Sequence, residues 1–410
     1  LARTVPTLAL FLALLAACLT SSFVSSAPSR LDYPAGLELA TMGKIDVSAG
    51  LEDRLVRLLD SGPLDQDGLN LLFSARVHKG IDDQQRNAIA FALGKLGWRS
   101  THAQRNLVVE ALNRGDNGEA LLRIDALLRR DKLRETILPV LRLIEQDPEV
   151  TTLLVERLGR QPNWRQDYFA GVEHLADPAA RVARTQLFDR MIRDHRKLDR
   201  EELRPSLEAF VEQGEPDRAF ALLRELGYGR SGKALNYDAD FSKAAALSEH
   251  GSWKALPSEW AMSNRNGISV RALGESGGSY LAVRWDGAGS PWLMRQLVDL
   301  GGQRQPALEV RTESDRDWRE LRRLGFQWQC AGQSPLRFDT TMGDQINNRV
   351  LFTLPAPSSC DYGYLVLVGM PQNLDQPVQL HLKAIRLLPS IAAAGPLTLG
   401  EQPAGEVPQP

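Results

Sequence analysis

Between about Gly50 and Tyr228, apolar residues recur every three to four positions, the spacing that gathers them on one face of an α-helix. Leu51, Leu55, Leu58 and Leu59 share one such face, and Leu107, Val108, Ala111 and Leu112 share another. Further runs at 120–128, 133–144, 150–158, 164–175, 179–192, 201–211 and 216–226 each predict a helix of ordinary globular length. Gly62-Pro63, Asp147-Pro148, Gln161-Pro162, Asp177-Pro178 and Gly214-Glu215-Pro216 mark the joints, because Pro lacks the N–H that would continue a preceding helix. Many helices of similar length with short turns predict an α-solenoid of stacked hairpins, with a single helical bundle as the alternative. No strict period of about 34 residues holds along the run, so any repeat is degenerate.

Around Gly229 to Leu235 the texture changes. Gly and Trp become denser, and short segments alternate apolar with polar residues at 268–270, 280–285, 292–300, 308–311, 326–330, 350–354, 364–368 and 378–387. A period of two predicts strands with one face buried, and about eight of them between Gly, Pro and Asp turns predict an antiparallel β-sandwich. The expected fold class is therefore α and β in separate domains. Residues 50–229 form the helical-repeat domain, 230–389 the β-sandwich domain, and the Ala-, Gly- and Pro-rich stretch 390–410 a disordered tail.

The N-terminus reads differently from both. One charge, Arg3, precedes a mostly apolar run from Val5 to Ala17, which is signal-peptide length and too short to span a bilayer. Residues 1–27 are expected to be a signal and 28–49 a linker. Leu15-Ala16-Ala17-Cys18 matches a bacterial lipobox, which makes Cys18 a lipidation candidate; cleavage after Val24-Ser25-Ser26 is the alternative. Either exit predicts a protein secreted across the inner membrane, in the periplasm or at the outer membrane, touching a membrane only through that possible anchor. In such an oxidising space Cys330 and Cys360 are expected to form a disulfide rather than hold a metal. Closing that loop contributes on the order of 3 kcal/mol in the chain-entropy model.

Composition narrows the function. The 410 residues carry a net charge of −2, which disfavours a general nucleic-acid binder that must displace counterions from phosphates. Hydrophobic residues at 43% and charged residues at 24% are globular proportions and argue against wholesale disorder. The six His are scattered without the helical spacing that chelates zinc. Gly274-Glu275-Ser276-Gly277-Gly278 has the letters of a nucleophile elbow, but a strand follows it where a helix is required, so it predicts a hairpin turn. Gly227 to Lys233 has phosphate-loop spacing, yet Ala234 stands where Ser or Thr must hold a metal, which leaves an interdomain linker. Neither catalytic residues, metal nor cofactor is expected.

Binding chemistry has better candidates. Six of the eight Trp lie in the sandwich region, and aromatic faces hold pyranose rings by stacking on their axial C–H groups. Trp285 and Trp328 alternate with apolar strand residues and are expected in the core. Trp253, Trp292 and Trp318 flank turns and charges and are the candidate glycan contacts. Two basic clusters, Arg123, Arg129, Arg130, Lys132 and Arg134, then Arg190, Arg193, Arg196, Lys197 and Arg200, are solvated helix faces or a groove for an acidic polysaccharide.

A resemblance adds to this reading. Pro216-Asp217-Arg218-Ala219-Phe220-Ala221-Leu222-Leu223 resembles one helix of a tetratricopeptide hairpin. Tyr237 to Phe241, Trp260, Gly325-Phe326-Gln327-Trp328-Gln329-Cys330, Phe352-Thr353-Leu354-Pro355, Cys360 and the closing strand through Ile385 and Leu387 resemble a jelly-roll of the carbohydrate-binding-module, galactose-binding-like type. With Pro162-Asn163-Trp164-Arg165 and Phe169, they resemble bacterial envelope proteins that join helical repeats to such a module and accompany exopolysaccharide assembly. The resemblance implies a non-enzymatic scaffold or glycan-binding protein whose partners are polysaccharide or envelope assembly proteins. A protein–protein adaptor without sugar binding is the first alternative, and a polysaccharide hydrolase or lyase with an accessory sandwich the second. Jelly-rolls of this type often hold Ca²⁺ at turn carboxylates such as Asp286, Asp339, Asp344 and Asp361, but no Asp-x-Asp-x-Asp loop is present.

Overall fold

The computed structural model describes residues 83–96, 100–228, 234–249, 255–275, 278–303, 305–330, 334–338, 348–354, 360–370 and 377–390, with Val56, Leu69, Leu72 and Phe73. Cys18, Trp253, Asp339, Asp344, the signal, the linker, the segment 229–233 and the tail beyond 390 lie outside the described residues. A helical region is followed along the chain by two antiparallel sheets. By compactness the chain divides into two units, Leu1–Lys197 and Leu198–Pro410.

The first unit contains α1 (Asp83–Leu96), α2 (Thr101–Asn113), α3 (Asn117–Arg129), α4 (Arg134–Ile144), α5 (Pro148–Gly159), α6 (Arg165–Ala170), a 3-10 turn (Glu173–Ala176) and α7 (Pro178–Arg193). Asp147 and Asp177, two of the joints read from the sequence, act as caps, as do Ser100 and Asp116. The side chains of Ser100, Asp116, Asp147 and Asp177 accept backbone N–H groups from the first turns of α2, α3, α5 and α7, which satisfies donors that helix geometry orphans. In α5 and α7, Pro follows the cap at the first helical position, where its missing N–H costs nothing. The expected helix over 164–175 ends early, at Ala170. Gly171 adopts an extended conformation there, and the chain restarts as the 3-10 turn. Packing is local: α1 lies on α2, α2 on α3, α3 on α4 and α5, α4 on α6, and α5 on α7.

The second unit opens with α8 (Arg200–Glu212) and α9 (Pro216–Glu225), which pack on each other, followed by α10 (Ser242–Glu249). Gly214 turns the chain between α8 and α9 at φ +77°, a left-handed conformation that costs other residues more. Among the described residues eleven strands follow: β1 (Ala261–Met262), β2 (Asn264–Arg265), β3 (Ile268–Glu275), β4 (Gly278–Trp285), β5 (Trp292–Asp299), β6 (Ala307–Thr312), β7 (Leu324–Gln329), β8 (Leu336–Arg337), β9 (Arg349–Thr353), β10 (Tyr362–Gly369) and β11 (Val378–Leu388), with α11 (Asp315–Leu321) between β6 and β7. All eight expected strands form. The Gly274 to Gly278 segment is the expected hairpin, with Glu275 opposite Gly278.

Strands order as β1-β5-β10-β7-β8 in one sheet and β2-β3-β4-β11-β6-β9 in the other. Their facing sides share one core that includes Leu293, Met294, Phe326, Trp328, Leu365 and Leu367 from the first sheet and Val270, Val283, Trp285, Val310, Leu380 and Ile385 from the second. Trp285 and Trp328 are buried there as expected. β10 makes room for both indoles with glycine. A Cβ on Gly363 would lie 2.5 Å from Trp328, and one on Gly369 would lie 2.7 Å from Trp285. Cys330 and Cys360 are disulfide-bonded across 6.2 Å between Cα atoms, and the Trp328 indole N–H donates to the Cys360 sulfur. The bond points to an oxidising compartment. Among the described residues no helix is long and apolar enough to cross a membrane.

Candidate functional site

The outward side of the five-stranded sheet carries the one exposed aromatic among the described residues of the second unit: Trp292, 36% exposed at the start of β5. Strand alternation sets its company. On β5 the next outward residue beyond the bulge is Arg295, opposite Val366 of β10, and Leu297 is opposite Tyr364. On β7, Gln327 and Gln329 face outward, opposite Val366 and Tyr364. The Arg295 guanidinium lies 5.2 Å from the Trp292 ring centroid and 5.0 Å from that of Tyr364, within the range of cation–π attraction. Burial pushes the Tyr364 phenol up, and Glu208 and Glu212 of α8 add to that while Arg295 opposes it. At the far end of β10, Phe220 of α9 packs on Tyr362 with centroids 5.5 Å apart. The open part of this face therefore offers the Trp292 indole, the Arg295 guanidinium, the exposed Gln329 amide and, on β8 opposite Gln327, the exposed Arg337. An aromatic plane beside amide and guanidinium donors can hold the apolar side of a sugar ring and its hydroxyls at once.

The three candidate tryptophans do not converge. Trp253 lies outside the described residues. Trp318 sits on α11 and is 9% exposed, a member of the shared core with Leu321, and Arg322 lies over its ring at 5.4 Å. The charges flanking Trp318 in sequence suggested exposure, but α11 is amphipathic and turns that side chain inward. Arg295 and Tyr364, by contrast, are invisible as partners of Trp292 until β10 pairs with β5.

The Pro162-Asn163-Trp164-Arg165 stretch stitches helices together. The Asn163 amide donates to the Arg129 carbonyl, the Trp164 indole to Asp125, and Arg165 to the Leu158 carbonyl. Next to it is a sealed polar cluster. Arg184 of α7, fully buried, forks onto Glu145 with 2.8 and 2.9 Å bonds, and the Tyr168 hydroxyl donates to the same carboxylate at 2.6 Å. The guanidinium lies over the rings of Tyr168, Phe169 and Phe188. Burial opposes the charge on Arg184, yet Glu145 and Tyr168 more than offset it and its pKa is raised. Burial, with Arg184 and Arg142 beside it, drops His174 to about 3. Its depth makes this cluster a brace of the helices.

Part of the basic helix faces is neutralised in place. Arg123 pairs with Glu119, Arg129 with Asp125, and Arg134 with Asp131 and Asp167. In the second cluster Arg190 bonds Thr152, and Arg200 bonds Glu259. Glu313, Asp317 and His381 bring ligand atoms together, and the His381 Nδ1 lies 3.0 Å from the Glu313 carboxylate. Asp317 accepts from the Ser314 N–H and hydroxyl and from the His381 N–H, and Lys383 lies 3.7 Å from Glu313. The group reads as the cap of α11. Of the turn carboxylates that are described, Asp286 accepts the Ala288 N–H, and Asp361 is exposed.

No protein-family model matches this chain, and no curated protein matches it in sequence.

Proposed function

We propose that this protein is a non-enzymatic glycan-binding scaffold of the bacterial envelope that serves polysaccharide assembly or export. On this reading the helical region is a degenerate TPR-like solenoid, and the paired sheets are a galactose-binding-like jelly-roll. Local stacking of successive helices supports the first, and the Cys330–Cys360 bond agrees with a periplasmic or outer-membrane site. One observation carries the functional part: the Trp292, Arg295 and Tyr364 row, with Gln327 and Gln329, on the outward side of the five-stranded sheet. That surface combines a stacking plane with donors for hydroxyls. The same row favours the adaptor as second reading, because Trp, Tyr and Arg also dominate protein interfaces.

The test is titration of the full oxidised chain with a panel of neutral bacterial polysaccharides, followed by calorimetry. Saturable binding by at least one of them, weakened roughly five- to tenfold in Trp292→Ala as loss of one aromatic stack predicts, is the expected result. If none binds, the glycan reading fails and the adaptor takes its place.

A further inference from the structure

The outward side of the six-stranded sheet has a charge that the chain as a whole lacks. Pairing registers place Arg271 of β3, Arg284 of β4, Arg386 of β11, Arg311 of β6 and Arg349 of β9 on this side, opposite to the core-facing Val270, Val283, Ile385, Val310 and Val350. Lys383 joins them at the β11 bulge, its side chain 53% exposed. Among the described residues, two carboxylates pair with these cations: Glu309 on β6 and Glu313 just after it. Glu309 is 2% exposed. It lies beneath three guanidiniums, 2.6 Å from Arg311, 3.1 Å from Arg349 and 3.7 Å from Arg386. What solvent meets is the cationic layer above it.

The arrangement is costly in isolation. Arg311 and Arg349 stand directly opposite on neighbouring strands, where like charges destabilise a sheet. A single buried carboxylate gathers the three guanidiniums but leaves the group net positive. Arg271 and Arg284, both exposed, have no ion-pair partner among the described residues. Five of the six cations are Arg, whose planar fork suits carboxylate and similar oxyanions. The charges spread over five adjacent strands, which suits a ligand with repeating anions better than one small ion. Among the described residues no exposed large apolar side chain lies next to the Glu309 cluster, the feature that seats a basic surface in lipid; Leu273 is the described one on this face, out on β3.

We propose that this face binds an acidic polysaccharide, with Arg311, Arg349 and Arg386 on one anionic group and Arg271, Arg284 and Lys383 on others along the polymer. The anionic character rests on the face alone, and the choice of a polysaccharide rests on the proposed function. The two surfaces lie on different sheets, so each is tested separately.

The probe is polygalacturonate, with its carboxyl-reduced form as the neutral control, added to the full oxidised chain. Polygalacturonate should bind, the reduced polymer should bind at least about tenfold more weakly, and affinity should fall steeply with salt as displaced counterions predict. Arg271→Glu with Arg284→Glu, both exposed and outside the Glu309 cluster, should weaken binding about tenfold or more. Lys132→Glu, on the helical unit, should leave it unchanged. Arg386→Ala tests the cluster itself, with circular dichroism to establish folding. Unchanged binding in the double reversal, loss in Lys132→Glu, stronger binding to phosphatidylglycerol vesicles, equal binding to a DNA duplex, or no binding at all would each overturn the proposal. Trp292→Ala separates the two readings. If it weakens neutral-glycan binding and spares polygalacturonate, both stand; if polygalacturonate alone binds, only the reading of the five-stranded face falls.

Discussion

Arginine does opposite work in the two units. In the helical unit it is consumed internally: Arg184 is buried on Glu145, Arg165 donates to a backbone carbonyl, and Arg129 and Arg134 close on carboxylates of their own or neighbouring helices. In the sheet unit it collects on one outward face, held from below by Glu309. The helical arrangement favours stability of a unit whose contacts are mostly between successive helices. The sheet arrangement spends stability through like-charge crowding and leaves an electrostatic surface for something else. Charge content alone would rank the helices as the binding surface. The pairing neutralises some of those helix charges and leaves Arg271 and Arg284 of the sheet exposed.

The largest effect that sharpens this contrast is expected at Arg184. Replacing it with Met leaves Glu145 buried without its cation, which costs about 3–5 kcal/mol, whereas Arg271→Met on the sheet surface stays within about 0.5 kcal/mol. Urea unfolding followed by circular dichroism measures both, and equal effects would erase the distinction drawn between internal and surface arginines. The sheet unit has its own covalent brace. Cys360→Ser opens a loop whose ends are 30 residues apart, for an expected loss on the order of 3–4 kcal/mol, and reductant should cost the unaltered protein the same amount. Reductant that leaves the unfolding midpoint in place would show that the bond contributes nothing.

The smallest effect is confined to acid. The imidazole of His174 ionises at about 3 in the folded chain, against 6.5 for an ordinary His. The unfolded state therefore binds a proton that the folded state refuses between those values, and stability falls as pH drops through that window. His174→Gln removes this contribution. Its unfolding midpoint should decline less between pH 6 and 4 (about the middle of that window) than that of the unaltered chain. Parallel declines would mean that His174 is not held neutral.

Much of the fold was legible in the chain because its cues are local. Caps such as Asp147 and Asp177 stand next to the Pro that opens each helix, and the alternation around Trp285 and Trp328 marked both as core before any pairing was known. The candidate sites were less legible. Trp292 stood out by its neighbours in sequence, and so did Trp318, yet only one of them is exposed. A tryptophan beside charges on a seven-residue helix can face either way, and the packing of α11 against β6, β7 and β11 decides. The arginines at 123–134 drew attention because they lie close together in sequence, while those at 271, 284, 311, 349 and 386 are scattered and drew none.

The sequence by itself determined the order of helical and strand regions, the eight longer strands, the hairpin at Gly274 to Gly278 and the division between helical and strand periodicities, since each follows from spacing within a few residues; α10 and α11 inside the strand region were not among them. Only the tertiary structure decided which charges are neutralised and which are displayed. Glu309 meets Arg349 and Arg386 across 40 and 77 positions of chain because β6 lies between β9 and β11. Strand order and register are long-range choices set by the whole core, and a one-residue slip would send the same arginines to the opposite face.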